Sequence, residues 1–441
     1  LGKPKATTYN SLRAFVASLA YLIGVALRYQ FICVLNRPSD PENILGDCAW
    51  YVNVAVNFFN PDYVQTIYDT LYPPGAPLYY AILRLIDPSM RLLDLTQWTL
   101  ASLVPIILGY TAYRLFSKNN ALYVLIFTSL YFPLWEYFGY FLSEGPFLFT
   151  MVLSFLLLVL SLQSKSKKAM ILWGFFSGLI LGASASCKSA ALFSALLAVI
   201  ALLFMARKNK LKVWPSLTAA TVGLIIVLIP LSIRATRLNE GNFLLIANDA
   251  PRTFLLGHQG RIGMIWFFDA KRNYQQNLIN PTAPQHGYTT EKTYQFGPYE
   301  PGPNYATGWN WSKENPGEAL LLSIEHVFDL FAIALPWPGS FRTYQRWTIF
   351  FNEVFLVLIL FPALYHLIRS RQKIYQADEH YIGDAMLAAA TVSIYILAFF
   401  FVGEGRYRIQ YDSFMIILAS RAFFSKFSNG FVTFHTKKLN E

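Results

Sequence analysis

Charge is what this chain has least of. Lys, Arg, Asp and Glu make up 14% of its 441 residues, where soluble domains carry about 25%. Hydrophobic residues make up 55%, aromatics 17%, and the mean hydropathy is +0.37. Together these exclude an ordinary soluble domain and place the chain among proteins that cross a membrane many times. Cysteine is scarce too. Cys33, Cys48 and Cys187 form an odd set without metal-ligand spacing, so a disulfide framework is not expected; only a Cys33–Cys48 bridge outside the membrane stays open. No internal repeat is visible, which weakens a transporter built from two related halves. A cleavable signal peptide is not expected, because the first apolar run is long enough to span. Nothing in the sequence points to nucleic acid.

What the chain does have is long apolar runs. Ten are read as spans, at about 12–35, 97–116, 121–138, 146–163, 170–187, 190–206, 215–233, 347–368, 384–402 and 411–425. The expected fold class is therefore all-α, a polytopic integral membrane protein of about ten transmembrane helices. Lys and Arg supply the orientation. Lys3, Lys5 and Arg13, then Arg114 and Lys118, "SKSKK", "ARKNKLK", "RSRQK" and the C-terminal Arg421, Lys426, Lys437 and Lys438 all fall on one side if the spans alternate. Positive loops stay in the cytoplasm, so both termini are expected there.

Two long segments, about 36–96 and 234–346, then lie outside the cytoplasm. They divide the chain into a transmembrane module (1–233) containing the first loop, a loop region (234–346) and C-terminal helices (347–441). Long ordered loops are where function concentrates. In the first, "APLYYAILRLID" reads as an interfacial helix with Arg84 and Asp87 on its polar side. In the second, residues 319–339 carry Glu325, His326 and Asp329. They read as a helix at the outer surface or docked on the bundle rather than a span.

The ionisable residues converge on that same face. Asp47 is in the first loop, Glu144 between the third and fourth spans, and Lys188 between the fifth and sixth. Arg406 and Arg408 come before the last span, and His258 is in the second loop. Each has a plain reading: Asp47 and Glu144 as solvated span ends, the arginines as headgroup anchors, Lys188 as a snorkelling side chain, His258 as a satisfied loop histidine. As a set they are complementary. Carboxylates suit base catalysis on an acceptor hydroxyl. Two arginines and a lysine suit an anionic phosphate. "YFPLWEYFGYF" (131–141) offers either an apolar wall for a lipid tail or an interfacial aromatic belt.

"GDCAWYVNVAVNFF", "LYPPGAPLYYAIL", "FLSEGPFLF", "GLILGASASCKSAAL", "IPLSIRATR" and "GEGRYRIQ" occur in this order. The series resembles the GT-C membrane glycosyltransferases, in particular bacterial relatives of protein O-mannosyltransferases and of the aminoarabinose transferases that modify lipid A. The resemblance covers most of the chain. It implies transfer of a hexosyl or pentosyl group from a polyprenyl-phosphate carrier to a lipid, glycan or protein acceptor. The transfer would take place at the extracytoplasmic face of the cell membrane, with inversion. It implies that Asp47 is the essential acid of the first loop, that Glu144 is the second acid, and that Arg406 and Arg408 contact the donor phosphate. Many relatives have Asp-Glu where this chain has Asp47-Cys48. Relatives acting on lipid A often have Lys where Tyr72 precedes Pro73 and Pro74 here, and Lys188 is the candidate for that missing charge. Tyr72, His258 and Tyr407 are the candidate substrate-binding residues. No cofactor is firmly expected; a divalent ion on the carboxylates and His258 stays open. Two other readings remain. One is an O-antigen ligase- or polymerase-like enzyme, with its chemistry on the large loop and Asp47 dispensable. The other is a flippase or transporter of lipid-linked sugars, to which Glu136 and Glu353, nearer span interiors, would belong.

Overall fold

In a computed structural model the described residues are 6–40, 47–258, 301–331 and 350–424, apart from 352 and 404. Eight helical runs among them are long and apolar enough to cross a membrane. In chain order the first is α1 (Ala6–Tyr29), continued by a π-helical stretch to Leu35. The next are α4 (Arg91–Leu115), α7 (Glu144–Leu162), α8 (Lys167–Cys187), α9 (Ala190–Asn209) and α10 (Trp214–Leu238). A run from Glu353 to Tyr375 includes α14 (Phe361–Tyr375), and the eighth includes α15 (Ile382–Phe400). The chain is an all-α, multi-pass membrane protein.

Two of the ten expected spans take a different form. The one expected at 121–138 breaks. Helix α5 (Lys118–Leu130) starts where the Ser117 side chain accepts the Asn120 amide, and it ends at Leu130. After an extended Tyr131, Pro133 opens the short α6 (Pro133–Glu136), continued as a 3-10 turn to Gly139, at 61° to α5. Proline can start a helix but not continue one, because it has no N–H to give the preceding turn. Every residue from 131 to 148 is buried. The aromatic stretch is thus neither a surface belt nor a lipid-facing wall but packing inside the bundle. The other is the last expected span, α16 (Gly405–Phe424). It carries Arg406, Arg408, Asp412 and Arg421, yet every residue from Arg408 to Arg421 is buried by protein. Its charges are paired as buried charges must be. Arg408 Nε meets Asp412 Oδ1 at 3.1 Å, and Arg421 Nε meets Asp384 Oδ1 at 3.4 Å, with His366 Nε2 on the same oxygen at 2.8 Å.

The first loop folds into α2 (Asp47–Asn57), a 3-10 turn (Ile67–Thr70) and α3 (Gly75–Ile86). Helix α3 forms where the sequence predicts an interfacial helix. It rests on the end of α8 so closely that a methyl group on Gly75 would collide with Ser186. Helix α8 in turn packs on α10 along small residues; a methyl on Gly178 would collide with the carbonyl of Ala220. Small residues let membrane helices approach and pack by dispersion. That packing fixes the end of α8, and hence Lys188, against the first loop. The described part of the second loop holds α11 (Asp249–Gly257), α12 (Pro301–Glu314) and α13 (Pro316–Asp329). Helix α13, fourteen residues long, docks on α15, matching the docked reading of its segment up to Asp329. Residues 332–339, like both chain termini, lie outside the described residues.

Candidate active site

A cavity of about 220 Å³ opens among the ends of α2, α7, α8, α11, α15 and α16. Four charged side chains alternate across it. Asp47 Oδ2 accepts from Arg406 Nη1 at 3.0 Å; Arg406 Nη1 also lies 3.8 Å from Glu144 Oε1; Lys188 Nζ donates to the same Glu144 oxygen at 2.9 Å. The Tyr407 ring lies under both cations, 4.9 Å from Lys188 Nζ and 5.2 Å from the Arg406 guanidinium.

Helix ends place these groups. Asp47 and Glu144 are the first residues of α2 and α7, where the helix dipole favours an anion. Lys188 caps α8 in an extended conformation, where the dipole favours a cation. Arg406 sits in the first turn of α16, the wrong end for a cation, so the flanking carboxylates hold it there. Exposure separates the two acids: the Asp47 side chain is 28% exposed and Glu144 only 3%. Glu144 is a brace for the cations. Of these two, Asp47 is the one open to an incoming molecule.

Tyrosines complete the setting. Tyr72, held by the following Pro73-Pro74, donates its hydroxyl to Asp47 Oδ1 at 3.1 Å. It stacks on Tyr51 with ring centroids 5.6 Å apart. Tyr51 donates to Ser143 Oγ at 3.0 Å, and Ser143 donates to Glu144 Oε2 at 3.3 Å. Burial, reinforced by the Glu144 charge, pushes the Tyr51 phenol well above its ordinary value, so it stays a donor. The cavity wall on the α15 side is apolar, with Ile394, Leu397, Ala398 and Phe401.

Of the residues read from sequence, Asp47, Tyr72, Glu144, Lys188, Arg406 and Tyr407 meet at this cavity. Two do not. Arg408 points from the other side of α16, its guanidinium 3.9 Å from the Phe355 ring centroid and paired with Asp412. Two positions along a helix turn a side chain by about 200°, so Arg406 and Arg408 cannot share one ligand. His258 caps α11, stacked on Phe254 at 4.2 Å with Nδ1 2.9 Å from the Phe254 carbonyl. Burial lowers its pKa, and it does not line the cavity. Glu353 is exposed at the start of its helix, and Glu136 is buried in α6. Tyr51, Ser143, Asp249 and Thr253 line the cavity without having been singled out from sequence. The signal for Asp249 was local: "NDAP" is a helix-start pattern, with an acid in the first turn and proline close behind.

The described residues do not form a site for a resident divalent ion. Asp47 and Glu144 each already hold a cation of the protein's own. Among the described residues no three His, Cys, Asp or Glu gather as a ligand group.

No family model matches this sequence, and no curated protein matches it. Solved structures do. Archaeal oligosaccharyltransferase AglB from Archaeoglobus fulgidus, in complex with an inhibitory peptide and a dolichol-phosphate, is similar with a TM-score of 0.54 at 12% identity. The oligosaccharyltransferase of that archaeon tethered to an acceptor peptide through a disulfide bond gives 0.52 at 11%. Each match covers 93% of this chain and 50% of the other, so the chain spans half the length of these proteins. At such identity the likeness is one of architecture: the chain shares the fold of these oligosaccharyltransferases, the kind of fold that the motif resemblance implies.

Proposed function

We propose that this chain is an inverting glycosyltransferase. It moves a hexosyl or pentosyl group from a polyprenyl-phosphate donor to a hydroxyl of a lipid, glycan or protein acceptor at the extracytoplasmic membrane surface. One observation carries the reading: Asp47, more exposed than its neighbour Glu144, pairs with Arg406 in a cavity that Lys188 also lines, at the ends of apolar helices. That AglB was captured with a dolichol-phosphate and an inhibitory peptide supports a lipid phosphate and a separate acceptor.

The donor phosphate enters beside Arg406 and Lys188, and Arg406 exchanges its bond to Asp47 for a bond to phosphate oxygen. Asp47, still oriented by Tyr72, is released to act as base. The acceptor oxygen bonds to the anomeric carbon on the face opposite the phosphate. The bond from that carbon to the phosphate oxygen breaks, its electron pair leaving with the phosphate, and the acceptor proton passes to Asp47. A positioned base contributes about 10²–10⁴-fold. Arg406 and Lys188 stabilise the charge that develops on the leaving oxygen, a preorganised electrostatic effect. Glu144 keeps both cations in place and does not touch the reacting atoms.

The test is Asp47→Asn in purified full-length protein in lipid, assayed for transfer from polyprenyl-phosphate sugars. The amide is nearly isosteric and still accepts from Tyr72 and a neighbouring donor, but it takes no proton. Transfer should fall at least about 10²-fold while polyprenyl-phosphate binding persists. Turnover close to wild type would overturn the assignment.

A further inference from the structure

Helix α16 lines the cavity with Arg406, Tyr407, Gln410 and Tyr411. Their spacing is that of one helix face, since positions four apart lie one above the other. Three of them are engaged with protein. Arg406 holds Asp47, Tyr407 lies under both cations, and the Tyr411 hydroxyl accepts from Ser194 Oγ at 2.9 Å. Gln410 differs. It is 2% exposed, yet its Oε1 is enclosed without a hydrogen-bonding partner among the described residues. A buried amide oxygen left unpaired is costly, and such a cost persists where function uses the group. The last torsion of a glutamine is soft, so a half-turn brings either amide atom to the cavity. What enters the cavity then supplies the partner. Resting on the glycosyl-transfer reading above, three parts of the donor can be compared. The carrier chain has no hydrogen-bonding group. The phosphate oxygens only accept, so a phosphate held by Nε2 would leave Oε1 unpaired. A sugar hydroxyl both donates and accepts, and answers the amide in either orientation. Distance agrees. Gln410 lies one turn, about 5.4 Å along the axis, from Arg406, and the sugar is joined directly to the phosphate that Arg406 takes.

We infer that Gln410 is a specificity-determining residue that binds a hydroxyl of the transferred sugar, one helix turn deeper in the cavity than the phosphate. The probes are sugar-free polyprenyl phosphate, the polyprenyl phosphates of glucose, galactose, mannose and arabinose, and the monodeoxy forms of whichever of the four binds best. Affinities and transfer kinetics are measured on the full chain in lipid, for wild type and Gln410→Met. Methionine is an unbranched good helix former without an amide. Wild type should bind the best sugar donor more tightly than sugar-free polyprenyl phosphate, and lose at least about tenfold when one particular hydroxyl is removed. Gln410→Met should bind the intact donor about tenfold more weakly and no longer distinguish it from that deoxy form. It should hold sugar-free polyprenyl phosphate as wild type does. Because the substitution removes an unpaired buried acceptor, the thermal midpoint of the ligand-free variant should hold or rise. Four results would each overturn the inference. A fall in the midpoint would mark a structural glutamine. Equal weakening toward the sugar-free carrier would make Gln410 a contact to phosphate or carrier. Unchanged donor affinity with a raised KM for acceptor would assign the amide to the acceptor. Unchanged affinity and kinetics would leave it solvated by cavity water only. No transfer from any donor, with the affinity pattern as expected, overturns the reaction and leaves the sugar contact standing.

Discussion

At the scale of single residues, two arginines two positions apart have opposite consequences. Arg406 is 12% exposed and bridges two cavity carboxylates; Arg408 is 2% exposed and answers only to the interior. Removing Arg406 should weaken polyprenyl-phosphate binding by roughly 2–5 kcal/mol, the range for losing one partner of a desolvated charge pair. Folding should survive, because Lys188 still neutralises Glu144. Removing Arg408 leaves Asp412 buried at 0% exposure without its ion-pair partner, a change that costs about 3–5 kcal/mol of stability. Arg408→Ala should therefore lower the thermal midpoint in detergent, and whatever protein remains folded should bind donor lipid normally. Donor affinities of both variants, measured beside their melting curves, check the pair. Equal loss of affinity in both would return Arg408 to the donor site. The sequence placed both arginines at the right end of the right helix. It could not separate them, because which face of α16 meets the cavity is decided by Phe331, Phe355 and Tyr131, from segments far away in the chain.

At the scale of elements, the apolar runs announced themselves and their interruptions did not. Hydropathy saw 121–138 as one span, since a buried broken helix is as apolar as a continuous one. Pro133 marked the break, but only packing decides whether a proline kinks a helix or ends it. Helix α3 was legible from its two-sided composition. Its docking was not, because contact with α8 depends on the absence of a side chain at Gly75. That absence can be tested. Gly75→Ala should push α3 off Ser186 and shift the adjoining Tyr72 and Asp47, at a cost of about 1–3 kcal/mol, the usual range for overpacking. Transfer activity should drop with it. Adding Ser186→Ala should not restore either, because the Ser186 backbone carbonyl also stands in the way. Full rescue by the double substitution, read from activity and melting together, would show that only the hydroxyl mattered.

At the scale of the whole molecule, the chain brings one site together from positions as far apart as 47 and 406. Alternation of spans was enough to predict which residues share an end of the bundle, because an even number of passes separates them. It could not predict the cavity's third acid, since Asp249 lies in a loop whose path across the site depends on the Asn248–Thr70 backbone bond. The same alternation makes a claim about sidedness that depends on charge alone. The basic turns meet at the end away from the cavity: Arg13 Nη1 donates to Asn119 Oδ1, Gln163 to the Arg114 carbonyl, and Lys208 to the Tyr375 carbonyl. Positive turns remain in the cytoplasm because moving Lys and Arg across the bilayer against the membrane potential is disfavoured. The cavity end should then face outward, where a lipid-linked sugar and an external acceptor can meet. Lys167, exposed at the start of α8, and Asn242, exposed just after α10, mark the two ends. In intact cells, a membrane-impermeant thiol reagent should label a cysteine introduced at Asn242 and leave one at Lys167 untouched until the membrane is opened. The reverse pattern would put the cavity in the cytoplasm and require a donor displayed on that side.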